Sequence, residues 1–407
     1  MDKVRLQKYA ELIVKSGVNP TPGQAVVITA APDQCEFTRM VTEECYKAGA
    51  GQVVVNYCDM VLDKFAQLNQ SEELLSELAP WEKARWQWMT EKFPARIWLD
   101  SDDPDGMDGI DQEKYSRTFA CKVKEIKPYR SIIENRHQWC IAAVPGIEWA
   151  VKVFPGIPAD EAVEKLWEAI LTASRANGDP IANWQQHNET VHARCEKLNA
   201  LKLKKLHYKS SNGTDFTVGL MSEGIFCGAA ETDLEGRVFN PNIPSEEVFT
   251  TPKKGEADGI LVSTKPLSWQ GTLIENFSIR FENGRAVEVK AEKGETALRK
   301  MISIDENAGF LGECALIGKN SPINNLQILF YNTLFDENAS CHVALGRGFD
   351  NCVANYEKYS KEELEALGVN DSVIHVDFMI GSDDLEITGT CSDGSEIKLF
   401  VNGEWSI

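Results

Sequence analysis

The chain is poor in the features that mark nucleotide-binding, disulfide-stapled or membrane proteins. No GxGxxG follows its first apolar strand and no phosphate-loop pattern occurs, which weighs against a nucleotide-dependent enzyme built on the N-terminal half. The eleven cysteines are odd in number, scattered and never spaced as CxxC. That pattern excludes a zinc ribbon or a disulfide framework, and the cysteines are expected to be small buried hydrophobes kept reduced. No uninterrupted apolar window reaches the ~18 residues of a membrane-spanning helix. The opening stretch, Met1-Asp-Lys-Val-Arg-Leu, mixes charge with apolar residues and lacks the apolar core of a signal peptide, so a cytoplasmic location is expected. Basic residues are in deficit, 42 Lys and Arg against 62 Asp and Glu, giving a formal charge of −20. Nucleic acid and anionic membrane both require a basic face, so neither is expected as a partner. An acidic surface suits cationic ligands, metal ions or peptide amino termini. Histidine is also scarce, with six in 407 residues, so where those six fall carries information.

What is present is a globular composition, 43% apolar and 26% charged, in a chain too long for one ordinary core. Two domains are expected, residues 1–190 and 191–407. The first reads as α/β. A helix over about 2–16 ends near Gly17. Apolar runs at 24–30, 52–57, 95–100 and 138–145 alternate with helical stretches such as 33–48, where Phe37, Met40, Val41 and Cys45 fall at core spacing. Strands alternating with helices predict a mostly parallel sheet. Residues 160–205 read as long helix, interrupted near Asn177-Gly-Asp-Pro180. Beyond them the texture changes to short strands and turns, with Asn283-Gly284 as a hairpin signal, which predicts an α+β domain with antiparallel strands.

Chemistry-bearing residues concentrate in that second half. In Ser372-Val-Ile-His-Val-Asp-Phe-Met-Ile-Gly381, strand alternation puts Ile374, Val376, Phe378 and Ile380 on one face and His375 and Asp377 on the other. Burying both polar groups is costly unless a partner, such as a divalent metal ion, satisfies them. Upstream, Glu246 and Glu247 lie boxed between prolines. Glu313 is the only charge in Gly309–Gly318. Glu337 and His342 share the segment Asp336-Glu-Asn-Ala-Ser-Cys-His342. Each has an ordinary alternative: a helix cap for Glu246 and Glu247, a buried ion pair for Glu313, a solvated turn for Glu337 and a satisfied core histidine for His342. Taken together, carboxylates with two histidines are the inventory of a dinuclear site. Two ions about 3.5–4 Å apart need bridging carboxylates to offset their repulsion, and one such ion can lower the pKa of water from about 15.7 to about 7. Neither Glu246 nor Glu337 is singled out by spacing as a general base.

With those clusters in view, the chain resembles the aminopeptidase T / aminopeptidase S family of thermophilic-type metalloaminopeptidases over essentially its whole length. The motifs that carry the resemblance are Trp149-Ala-x-x-Val-Phe-Pro155, Asn242-Ile-Pro-Ser-Glu-Glu-Val-Phe-Thr-Thr-Pro252, Thr264-Lys-Pro-Leu267, Leu311-Gly-Glu-Cys-Ala-Leu316 and Glu337-Asn-Ala-Ser-Cys-His-x-Ala-Leu-Gly346. The resemblance implies a metal-dependent aminopeptidase that releases N-terminal residues from peptides by metal-hydroxide attack on the first peptide bond. It implies two divalent ions, zinc or cobalt with manganese also compatible, held by Glu247, Glu313, Glu337, His342, His375 and Asp377, with Glu313 bridging. Peptides with a free N terminus are the implied partners, and a homodimer the implied assembly. One position departs: Phe349 stands where several members carry a tyrosine seven residues after the ligand histidine. Phenylalanine cannot donate a hydrogen bond, and Arg347 is the nearby substitute. The departure keeps a second reading open, a non-catalytic or weakly active metal- or peptide-binding protein on the same fold.

Overall fold

The computed structural model describes residues 1–269 and 272–407. The chain divides into two compact units, one of Met1–His187 with Ala230–Pro244, the other of Asn188–Ala229 with Ser245–Ile407.

The first unit is α/β. Its five-stranded sheet runs in the order Asn242–Ile243, Trp139–Ala143, Ala95–Asp100, Ala25–Ala30, Gln52–Tyr57, with every pairing parallel. Consecutive Val26, Val27 and Ile28 are all buried, as a strand covered on both faces requires. Helix Cys35–Lys47 buries Phe37, Val41 and Cys45 at four-residue spacing, while Met40 is only half-buried. The first helix, Lys3–Leu12, continues as a wider turn over Ile13–Val18 and stops where Asn19 adopts a left-handed conformation, φ 41°. Two residues of strand, Asn242–Ile243, return late in the chain to pair with Trp139–Ala143. The surrounding segment therefore groups with the first unit, although the sequence boundary at residue 190 assigns it to the second. So short a pairing leaves no periodicity to read.

The second unit is α+β and antiparallel. A nine-stranded sheet includes Leu203–Lys209, Asp215–Leu220, Pro252–Val262, Thr272–Glu282, Arg285–Lys293 and Glu386–Cys391. Its Asn283-Gly284 turn has both residues at positive φ, 49° and 83°, as the hairpin signal predicts. A second sheet of five strands runs in the order His375–Met379, His342–Gly346, Leu311–Leu316, Val248–Thr250, Cys227–Gly228. One face of this smaller sheet carries Leu311, Cys314, Leu316, Val343, Leu345, Phe378 and Ile380. These join one core with Leu206, Tyr208, Phe216, Leu261, Ile279 and Phe281 of the larger sheet. Phe378 meets Phe277 of the larger sheet at 5.4 Å between ring centroids. The opposite face of the smaller sheet bears the polar residues.

A bulge decides that division. Regular alternation would put Leu311 and Glu313 on the same face. The pairing of Leu311 with Leu345 and of Glu313 with Ala344 shows an extra residue, Gly312. The insertion reverses the alternation, so Leu311 stays in the core and Glu313 turns to the other side. Only glycine fits there, because a Cβ on Gly312 would lie 2.1 Å from the Arg347 carbonyl oxygen.

All eleven cysteines are unpaired thiols, and seven are buried. Among the described residues, no helix is long and apolar enough to cross a membrane. Because Phe378 is fully buried between the sheets, Phe378→Ala is expected to lower stability by about 3–5 kcal/mol. Guanidinium denaturation should show this as a lower midpoint with an unchanged slope.

Candidate metal centre

Register brings the polar residues of the small sheet together. Glu313 pairs with Ala344, and Ala344 with Asp377, so Glu313 and Asp377 flank one small residue in a row across three strands. His342 lies opposite Ala315 and Met379, and His375 opposite Gly346. Residues two apart share a face, so His342, His375, Asp377 and Glu313 all point to the side away from the core. Glu247 immediately precedes the strand Val248–Thr250, whose Phe249 pairs with Ala315 on that same side. Small residues at 315 and 344 leave the space that the polar chains occupy.

The resulting cluster contains two overlapping groups whose ligand atoms lie within 4.8 Å of one another: Glu247, Glu313 and His342, and Glu313, His375 and Asp377. Glu313 belongs to both. His342 Nε2 is 3.4 Å from Glu247 Oε2 and 3.9 Å from Asp377 Oδ1. His375 Nε2 is 3.2 Å from Glu313 Oε2 and 3.4 Å from Asp377 Oδ1. Glu247, Glu313 and His342 are buried, the histidine to 1% exposure. Glu337, on a single short turn at Glu337–Ala339, falls in neither group. Its carboxyl nevertheless senses Asp377, Glu247 and Glu313, and its backbone carbonyl accepts the His342 Nδ1 hydrogen at 2.8 Å.

That last contact has a counterpart. His375 Nδ1 donates to the Arg347 carbonyl at 2.7 Å. A carbonyl can only accept, so in both rings the hydrogen sits on Nδ1 and Nε2 faces the carboxylates. Backbone anchoring of one imidazole nitrogen, with the other aimed at anionic oxygens, is the arrangement that orients metal-bound histidine. The neutral rings would turn lone pairs toward carboxylate oxygens, which is repulsive unless a cation or a proton stands between them. Asp377 Oδ1 is buried without a hydrogen-bond partner. These features fit a divalent cation, for which imidazole nitrogen and carboxylate oxygen are ordinary donors.

Without a cation, protons must take its place. Burial pushes the Glu313 carboxyl up to about 7, against the pull of His375. Burial also pushes Glu337 well up, helped by Asp377 and Glu247. For His342 burial works downward, but Glu247, Glu313 and Asp377 overcome it and raise the imidazole to about 10. His375 is likewise raised well above its ordinary value despite burial, chiefly by Asp377. Asp377 stays below the usual carboxylate range, because the two histidines outweigh its burial.

Supporting residues complete the site. Asn338, fully buried, accepts from the Glu246 backbone N–H at 2.7 Å and donates to the Leu334 carbonyl. It thereby ties the Glu246-Glu247 segment to the turn that holds His342. Sequence reasoning passed over Asn338 and the Arg347 carbonyl. The asparagine sits inside the motif Glu337-Asn-Ala-Ser and was legible there, whereas a backbone carbonyl leaves no sequence signal. Phe349 sets its ring 4.9 Å from the His375 imidazole and 5.5 Å from Phe249. The position without a hydroxyl is thus a wall of this centre.

What the geometry defines is a candidate divalent-metal centre lined by carboxylates and imidazoles on an antiparallel sheet. Comparison with known proteins agrees. The model of the thermophilic metalloprotease (M29) family matches residues 2–405, and the chain belongs to that family. It is 40% identical over 404 residues to aminopeptidase AmpS of Bacillus subtilis (strain 168), covering 99% of this chain and 98% of that one. It is 38% identical over 410 residues to aminopeptidase T of Thermus thermophilus, covering 100% and 99%. The solved structure of wild-type AmpT from Thermus thermophilus matches with a TM-score of 0.91 at 37% identity, each chain covered in full. A more distant likeness, TM-score 0.52 at 11% identity to 2,5-dihydroxypyridine dioxygenase from Pseudomonas putida KT2440, reflects the fold alone.

Two outcomes are expected. His342 is raised above the ordinary histidine range, so near neutral pH the metal-free ring is protonated, and a cation must displace that proton. Adding zinc ion to metal-free protein in unbuffered solution should therefore release acid. Apparent zinc affinity should weaken as pH falls from about 8 to about 6. Gly312→Ala drives a Cβ into the Arg347 carbonyl that holds His375. A fall in zinc affinity of about 10- to 100-fold is expected by isothermal titration calorimetry.

Proposed function

We propose that the protein is a metal-dependent aminopeptidase that removes N-terminal residues from peptides. The observation that carries this reading is the double cluster around Glu313, in which two anchored imidazoles turn Nε2 toward converging carboxylates. Two divalent cations are the expected load. Glu247 and His342 would hold one, His375 and Asp377 the other, and Glu313 would bridge them. Glu337 is the remaining donor, beside His342. Charge supports the number: Glu247, Glu313, Glu337 and Asp377 together bring four negative charges, which two divalent ions balance. Zinc or cobalt suits the mixed nitrogen and oxygen donors, and manganese is compatible with them.

The bound cations supply Lewis acidity that activates water and polarises the scissile carbonyl. The chain's own residues do the rest. The Glu337 and Arg347 carbonyls fix both imidazole rings. The apolar side of the sheet keeps the carboxylates from relaxing away from one another. The surplus of acidic groups around the centre favours a protonated amino terminus over an anionic group, which fits peptides with a free N terminus as substrates. Names of the relatives point the same way, since AmpS and aminopeptidase T are both named as aminopeptidases.

A non-catalytic metal- or peptide-binding protein is the competing reading. It is favoured by the Phe349 ring against His375, where no hydroxyl is available to the substrate. Release of free amino acid from a panel of short peptides, with metal-replete protein and again after chelation, separates the two. Turnover that chelation abolishes and added zinc or cobalt restores is expected. An absence of turnover in protein carrying two equivalents of metal by elemental analysis would overturn the enzyme reading. Glu313→Ala is expected to lose both ions and all hydrolysis, and near two equivalents of metal retained in that variant would refute the bridging role.

A further inference from the structure

The motif Thr264-Lys-Pro-Leu267 has no part in the metal centre, yet the fold delivers it to the edge of that centre. The Thr264 backbone N–H donates to the Met379 carbonyl at 2.9 Å. Met379 is the cross-strand partner of His342 and lies two residues beyond Asp377. Lys265 follows this anchor directly and so lies at the His342 end of the cluster. Asp336, the residue before Glu337, acts on its charge. Asp336 is buried, and its two oxygens are already engaged, accepting from the Phe330 N–H at 2.9 Å and the Asn332 N–H at 3.1 Å.

Lys265 itself is partly buried and makes no hydrogen bond or close ion pair with any described residue. Other lysines of the same unit either have partners, as Lys253 with Glu256, Lys254 with Asn307 and Lys398 with Glu386, or stand exposed to solvent, as Lys204, Lys205 and Lys209 do. Burial pushes the Lys265 ammonium down, with Asp336 opposing. An ammonium held away from bulk water without a partner is unfavourable, and such a group beside a reaction centre is commonly kept for a ligand.

The charge of that ligand follows from the surroundings. A short peptide with its amino terminus at the cations carries a carboxylate at its other end. The centre is rich in carboxylates and the chain has a net charge of −20, so this group is repelled unless a cation receives it. We propose that Lys265 is a specificity-determining residue that pairs with the C-terminal carboxylate of short peptide substrates; this rests on the aminopeptidase reading. The enzyme would then prefer short peptides with a free carboxylate over their amides.

Metal-loaded wild type, Lys265→Met and Lys265→Arg can be compared on trileucine and on trileucine amide. Wild type is expected to show a lower KM for the free acid, with a preference that shrinks as salt is added. In Lys265→Met, KM for the free acid should rise about tenfold, the scale of one lost charge-assisted hydrogen bond, with the amide little changed. Lys265→Arg should recover most of the preference. A purely structural role opposite Asp336 would lower thermal stability and slow both substrates alike, and that result overturns the proposal. Equal KM values for acid and amide in wild type overturn it without any variant. Turnover of the amide but no discrimination leaves the aminopeptidase reading standing and removes only this one. No turnover of either substrate removes both.

Discussion

Mutual repulsion among buried carboxylates is the constraint around which the second unit is organised. Glu247, Glu313 and Asp377 converge within a few ångströms, and Glu337 senses them all. Buried charges of one sign do not coexist without compensation, because the low-polarity surroundings that exclude water also strengthen their repulsion. Protons supply the compensation in the metal-free protein, and a bound divalent cation would replace them. Imidazoles clamped by backbone carbonyls allow that exchange without rearranging the rings.

The fold holds this unfavourable arrangement by placing it on one side of a sheet whose other side is a close-packed core. Phe378 and Asp377 are neighbours on a strand, and so are Val343 and His342. Burying the first of each pair between the sheets fixes the direction of the second. Strand pairing then sets the spacing across three strands. A site on loops alone would relax apart under its own charge, whereas this one is tied to the hydrophobic packing beneath it.

Much of this was legible in residues. The alternation of 374–380 separated His375 and Asp377 from the apolar face, and the structure keeps that separation. The parallel first sheet and the antiparallel second half follow from run lengths and turn residues such as Asn283-Gly284. Other features were not legible. Glu337 falls in neither group of converging ligand atoms, and what it offers His342 most directly is its main-chain carbonyl. The Asn242–Ile243 strand joins the first unit through a pairing with residues about a hundred positions earlier.

By itself the sequence determined which residue types were available and how they alternate: carboxylates and histidines in apolar strands, fewer basic than acidic residues, and no apolar span for a membrane helix. Periodicity is local, and local sterics are enough to produce it. Which of those groups meet was decided by tertiary structure alone, because strand order, register and the Gly312 bulge depend on contacts between segments far apart in the chain. Were Gly312 paired in regular alternation instead of bulged, Leu311 and Glu313 would share one face, and the same amino acids would build no such centre.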